Sequence, residues 1–267
     1  MSTSLPDAPI DRLLAIMAAL RHPETGCPWD RKQTLATIVP HTLEEAYEVA
    51  DAIERSDLDE LPGELGDLLF QVVFYARIAE EAGQFDFLEV VNRLNAKLVQ
   101  RHPHVFAGLD ADEVTIKANW EAGKAQERAE KAQHSALDNV PLNLPALSRS
   151  AKLQKRVARV GFDWDSLGPV VDKIVEEIDE VMDEAHQAVQ DQDRLEEEMG
   201  DLLFAVTNLS RHLKVDPEQA LRKANTKFER RFRQVENLCA ESGLAVDSAG
   251  LEQLEAFWQQ VKAGEKR

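Results

Sequence analysis

The chain has 267 residues, 43% of them hydrophobic and only 6% aromatic, enough for one large or two ordinary packed domains and biased toward helix over sheet. Its 31 Lys and Arg against 49 Asp and Glu leave a formal charge of −18, which repels nucleic acid and anionic lipid, so neither is expected as a partner. Two cysteines far apart, Cys27 and Cys239, form neither a disulfide framework nor a zinc motif, and the N-terminus has no basic segment leading into an apolar core; the expected setting is the cytoplasm.

In chain order, Gly26-Cys27-Pro28-Trp29-Asp30 precedes the first clear helical pattern. Thr42 is expected to cap that helix, with Glu45 completing a capping box, and Leu43, Ala46, Val49, Ala50 and Ile53 keep helical spacing. Leu65, Leu68, Leu69, Val72 and Val73 predict a second helix, whose apolar stretch is too short to cross a bilayer. Residues 135–148 hold Pro141 and Pro145 and read as a linker between domains at 1–134 and 149–267. Gly168-Pro169 suits a helix start, and a short polar connection from Gln187 to Arg194 predicts an antiparallel helix pair. With no alternating β-branched run anywhere, the fold class is all-α.

The two halves repeat each other. Glu64-Leu65-Gly66-Asp67-Leu68-Leu69-Phe70 recurs as Glu198-Met199-Gly200-Asp201-Leu202-Leu203-Phe204. Glu44-Glu45-x-x-Glu48 recurs as Glu176-Glu177-x-x-Glu180, Trp29-Asp30 as Trp164-Asp165, and Asn95-x-Lys97 as Asn225-x-Lys227. Arg101 falls opposite Arg231. Matched blocks in one order imply tandem copies of one domain.

Within each copy, Glu-Glu-x-x-Glu and Glu-x-x-Asp spacings place acidic side chains on one face of each of two neighbouring helices. Two carboxylates ~5 Å apart repel by about 3 kcal/mol at an effective dielectric near 20, so packing these faces together calls for a cation. Oxygen-only donors select a hard divalent ion, Mg²⁺ with Mn²⁺ as a substitute, which polarises a phosphoryl oxygen and activates water. Gly66 and Gly200, each costing ~1 kcal/mol in a helix relative to alanine, strengthen this reading over a solvated acidic face. Asp67 and Asp201, followed by Leu-Leu-Phe, are expected to adjoin a core.

Together with Gly26-Cys27-Pro28-Trp29-Asp30, Arg101-His102-Pro103-His104-Val105-Phe106 and Lys227-Phe228-Glu229-Arg230-Arg231-Phe232, these motifs resemble the MazG family of nucleoside triphosphate pyrophosphohydrolases over nearly the whole chain. The resemblance implies tandem all-α domains that dimerise into helical bundles, giving a homodimer. It also implies Mg²⁺ on the acidic motifs and water attack at the α-phosphorus of a nucleoside triphosphate, releasing pyrophosphate. Carried over by position, the metal ligands are Glu177, Glu180, Glu198 and Asp201, matched in the first copy by Glu45, Glu48, Glu64 and Asp67. Glu176 and Glu177 are the catalytic candidates; Glu176 and its match Glu44 bind a second metal or orient the water. Lys173, Arg194, Glu197, Lys227, Arg230, Arg231 and Trp258 are the substrate-binding candidates, with Trp120 a looser counterpart of Trp258.

The copies differ in cations. Lys173, Arg194 and Arg230 stand where the first copy has His41, Glu60 and Gln100. A triphosphate carries about four negative charges, so the second copy is expected to be the main catalytic domain. A di-iron bundle would need Glu-x-x-His pairs, which the chain lacks. A non-catalytic metal- and nucleotide-binding adaptor, or a phosphatase releasing orthophosphate, would differ from this reading in turnover and products. Asp183-Glu184-Ala185-His186 has no accompanying phosphate loop and reads as a coincidence on a helix.

Overall fold

A computed structural model describes residues 5–107, 112, 115, 116, 123 and 135–265. Trp120 lies outside these residues. Among the described residues there are ten α-helices and no strand, as the all-α expectation requires. The chain forms two compact units, 1–127 and 128–267.

In the first unit, α1 (Pro9–Leu20) leads through a 3-10 turn at Asp30–Lys32 to α2 (Leu35–Glu54). Then come α3 (Leu61–Glu81), α4 (Phe87–Arg101) and the short α5 (Pro103–Phe106). Helices α2 and α3 pair as a hairpin, and α1 and α4 pack on α3. In the second unit, α6 (Ala146–Ala158), α7 (Leu167–Ala185), α8 (Gln192–His212) and α9 (Pro217–Glu241) repeat that order, and α10 (Leu251–Gly264) is added against α9. Here α7 and α8 form the hairpin and α6 packs on α8.

Helix α2 begins earlier than its sequence suggests. Thr34, not Thr42, is the cap: its hydroxyl accepts the Thr37 N–H, and the Thr37 hydroxyl accepts the Thr34 N–H at 2.9 Å. The helix then runs through Pro40, which lacks a backbone donor. Thr42 sits mid-helix, its hydroxyl donating to the Ile38 carbonyl and lying 2.7 Å from the Tyr75 hydroxyl of α3. Three other helices are capped by aspartates. Asp86, Asp191 and Asp216 accept N–H groups of the first turns of α4, α8 and α9. The second-unit hairpin starts at Leu167, just ahead of Gly168-Pro169, as expected.

Met17, Ile38, Val73 and Phe74 form the first core. Val235, Cys239 and Val261 form a core between α9 and α10, with Leu254, Phe257 and Trp258 packed against it. Arg21 ties the first unit together. Nearly buried, it donates to both Glu81 oxygens and to the carbonyls of Asp30 and Gln33, and its guanidinium lies 5.4 Å from the Phe74 ring centroid. Gly26 lets the chain turn beneath it, because a Cβ there would stand 2.4 Å from the Leu20 carbonyl oxygen and 2.6 Å from that of His22.

Of the expected helical stripes, Leu43 and Ile53 on α2 and Leu65, Leu69 and Val72 on α3 are exposed, while Val73 is buried. A 3.6-residue period reports that a face is apolar, not which neighbour covers it. The buried side of α3 is Val73, Phe74, Ala76 and Ala79. The second hairpin shows the same feature: Val171, Val175, Ile178 and Met182 on α7 and Met199, Leu203 and Val206 on α8 stay exposed.

Arg21→Leu removes one of Glu81's two arginine partners and a donor to the Asp30 and Gln33 carbonyls, and unfolding of the first unit is expected to lose about 3 kcal/mol, read by chemical denaturation. Burial pushes the Glu81 carboxyl up, but Arg21 and Arg77 outweigh it and hold it below its ordinary value. That contribution is therefore present above the ordinary carboxylate range and is lost as pH falls through the depressed value. The Arg21→Leu difference should shrink in acid.

Candidate metal and phosphate site

Each hairpin brings three carboxylates into one cluster. Ligand oxygens of Glu177, Glu180 and Glu198 all lie within 4.8 Å of one another, and so do those of Glu45, Glu48 and Glu64. The first two of each set come from one helix and the third from its antiparallel partner, so the cluster exists only because the hairpin closes. Asp201 shares a cavity wall with Glu177, and Asp67 lies close enough to Glu45 and Glu64 to raise both. Neither aspartate adjoins a packed core as expected: both are exposed, although Phe70 beside Asp67 does pack on the first core. Nor does the chain's own fold demand Gly66 or Gly200, since a Cβ at either meets nothing within 4 Å.

The crowding leaves an electrostatic signature. Desolvation, then the charges of Asp67 and Glu48, push the Glu45 carboxyl above its ordinary value. Glu64 is raised by desolvation and by Glu48, Glu60 and Asp67. Glu180 is raised by desolvation, Glu177 and Glu198. Glu177 is only 4% exposed, and its Oε2 has no hydrogen-bond partner among the described residues.

Side-chain cations offset this charge in the second copy. Lys173 Nζ lies 2.9 Å from Glu176 Oε1 and 2.6 Å from Glu177 Oε1, and these two bonds raise its pKa. Arg194, in the first turn of α8, donates to Glu184 at 2.9 Å and reaches Glu198 at 3.5 Å. Glu184, within Asp183-Glu184-Ala185-His186, thus serves as an anchor for Arg194. Glu197 and Glu176 are exposed beside these pairs. In the first copy, His41 stands 3.7 Å from Glu44, while Glu60 is paired with Arg55. Gln71 Nε2 donates to Glu45 at 3.3 Å.

The remaining basic candidates form a separate group on α9 and α10. Arg230 and Arg231 both pair with Glu265, at 2.6 Å each, and Arg231 lies over the Trp258 ring at 5.8 Å. Trp258 also meets Phe228, at 5.3 Å between centroids, and Lys227 is exposed on the same helix. Glu265 carries no sequence signal, because it pairs with residues more than thirty positions away.

An all-oxygen donor set of converging carboxylates, one of them buried with an unpartnered oxygen, fits a hard divalent cation. Residues 33–106 and 168–236, which contain both clusters, match the MazG nucleotide pyrophosphohydrolase domain. The chain belongs to the MazG nucleotide pyrophosphohydrolase family. It is a hydrolase acting on phosphoanhydride bonds. A nucleoside triphosphate pyrophosphohydrolase of Escherichia coli K12 is 63% identical over 257 residues, covering 96% of this chain and 98% of the relative. The nucleoside triphosphate pyrophosphohydrolase/pyrophosphatase MazG of Thermotoga maritima is 44% identical over 96% of both chains. A nucleoside triphosphate pyrophosphohydrolase of Mycobacterium tuberculosis is 40% identical over 57% of this chain and 46% of its own length. Among the described residues no helix is long and apolar enough to cross a membrane.

Protons and a divalent cation compete for these carboxylates. For a carboxylate raised by folding, stability is fully present below its unfolded pKa and is lost as pH rises through the raised folded value. Divalent cation should therefore raise Tm more at pH 7 than at pH 4.5, where protons compete with it for the raised Glu45, Glu64 and Glu180 carboxyls. Thermal melts with and without Mg²⁺ at the two pH values check this.

Proposed function

We propose that the protein is a Mg²⁺-dependent nucleoside triphosphate pyrophosphohydrolase, with Mn²⁺ as a substitute ion, converting NTP or dNTP and water to the monophosphate and pyrophosphate. The observation that carries this reading is the Glu177, Glu180 and Glu198 cluster with its buried, unpartnered oxygen. The names of relatives matched along nearly the full chain support it.

Glu177, Glu180, Glu198 and Asp201 would hold the cation, which would neutralise phosphate charge and polarise the α-phosphoryl group when bound. Glu177 and Glu176 orient a water molecule and accept its proton. The water oxygen bonds to the α-phosphorus, the bond to the bridging oxygen breaks, and pyrophosphate leaves. Lys173 and Arg194 already neutralise carboxylates in the cluster. They are proposed to transfer those contacts to phosphate oxygens as substrate arrives. Glu197, Lys227, Arg230, Arg231 and Trp258 are proposed as further substrate contacts, Trp258 as a ring surface for the nucleoside. The second copy does most of the work, because its cluster has these cations and the first has His41 and Glu60 in their places. Turnover over several bases would serve pool cleansing or control of an alarmone.

The exposed apolar seams on both hairpins support a homodimer, in which a second copy covers them. The unpaired cysteines suit a reducing cytoplasm, and the charge of −18 disfavours nucleic acid. Ile178→Asp places a charge in the middle of the α7 seam and should convert the dimer to a monomer by sedimentation.

Incubation with a panel of NTPs and dNTPs, with and without Mg²⁺, should yield monophosphate and pyrophosphate only with the ion; diphosphate and orthophosphate would indicate a phosphatase. Glu177→Ala should reduce pyrophosphate release by at least 100-fold and Glu45→Ala by much less. Equal losses would refute the assignment to the second copy.

A further inference from the structure

Arg230 and Arg231 converge on one carboxylate. Glu265 Oε1 accepts Arg230 Nη2 at 2.6 Å, and Glu265 Oε2 accepts Arg231 Nε and Nη2 at 2.9 and 2.6 Å. Two guanidinium groups closing on one anion is also the way arginines grip a phosphate. Arg231 is placed from a second side by the Trp258 ring, while the Arg230 side of the pair is open to solvent. Arg231 first, and Arg230 with it, hold the Glu265 carboxyl below its ordinary value, so it is an anion at neutral pH. Arg233 is paired instead with Glu229 of its own helix. At the matching positions the first copy has Gln100 and Arg101, so the guanidinium pair belongs to the second copy.

Three features make Glu265 a displaceable occupant of that pair. It is the C-terminal cap residue of α10, where the partial negative charge of the helix end disfavours an anion. Gly264 before it is the last residue of α10, and a Cβ there would meet nothing within 4 Å. Packing therefore does not call for a glycine, and its effect is to loosen the final turn. Finally, a groove of about 490 Å³ between α9 and α10 opens beside Glu265, lined in part by Gln234, Asn237 and Gln260. Their carboxamides carry N–H donors for a carboxylate that has left the arginines.

We propose that Glu265 is a built-in competitor for substrate phosphate: it occupies Arg230 and Arg231 in the free protein, swings into the groove between α9 and α10 when polyphosphate arrives, and returns when pyrophosphate leaves. This rests on the triphosphate reading given above, in which both arginines are substrate contacts. Every polyphosphate that uses the two arginines must open the same ion pair. Glu265 therefore weakens substrate and pyrophosphate by one common factor, the fraction of molecules in which the pair is open. It makes Glu265 an affinity-setting residue of the second copy and leaves the Trp258 ring to the nucleoside.

The test is Glu265→Gln in the full-length chain, which keeps the side chain's size and removes its charge. With Mg²⁺ present, Kd for inorganic tripolyphosphate by titration calorimetry and KM for ATP should both fall about 5-fold, and the inhibition constant of pyrophosphate by the same factor. In a chain that also carries Arg230→Gln and Arg231→Gln, the gain should vanish. Unchanged or weaker tripolyphosphate binding by Glu265→Gln overturns the inference, and so does a gain that survives loss of both arginines. Where Glu265→Gln loses helicity by circular dichroism, Gly264→Ala decides. It firms the last turn of α10 without removing a side chain, and should weaken tripolyphosphate binding about 3-fold; an unchanged Kd overturns the inference. A wild-type protein that binds tripolyphosphate but releases pyrophosphate from no nucleotide would instead refute the triphosphate reading, and the Kd comparison would still decide the role of Glu265.

Discussion

Repulsion between converging carboxylates is the constraint around which each unit is built. An antiparallel hairpin with Glu-Glu-x-x-Glu on one helix and Glu-x-x-Asp on the other brings three ligand oxygens within 4.8 Å of one another, twice in one chain. Nothing about helix packing rewards that arrangement. It raises Glu45, Glu64 and Glu180 above their ordinary values and strands a Glu177 oxygen. Such a site calls for positive charge nearby, which is why it is proposed to receive a divalent cation and, through it, polyphosphate.

The two copies meet this constraint differently. In the second, Lys173 and Arg194 are folded into the cluster and carry part of the neutralisation themselves. In the first, the nearest equivalents are a histidine beside Glu44 and a glutamine amide on Glu45, while Arg55 is occupied by Asp51, Asp57 and Glu60. In the first unit Phe74 and the Arg21 clamp occupy the centre, whereas in the second a cavity of about 740 Å³ adjoins the hairpin, with Asn208 in its wall. Duplication has thus kept the hairpin and its acids in both copies while packing and counter-charge diverged.

Apolar exposure is the other recurring feature. The hairpin helices carry apolar residues beyond those that their neighbours in the same unit cover. Leu65, Leu69 and Val72, like Val175, Ile178 and Met182, remain at the surface as regular seams, the pattern of a helical interface. The carboxylate faces lie on those same helices, so the surroundings of the site in solution and any self-association are properties of one hairpin.

Helix content, tandem duplication and the identity of the acidic residues were all legible in the sequence, because 3.6-residue periodicity and repeated i, i+3 and i, i+4 spacings are local and survive without a partner. The cap at Thr34 was missed because threonine stood in for the usual glutamate of a capping box, and the exposed seams were not foreseen because a stripe does not name its neighbour. Pairings across distant positions were beyond sequence reasoning: Arg21 with Glu81, Arg231 with Glu265, Gln71 with Glu45. Whether Phe74 fills a space or Asn208 borders one is likewise decided only when four helices meet. Spacing along a helix sets an angle, whereas separation between helices and the volume left between them are set by packing.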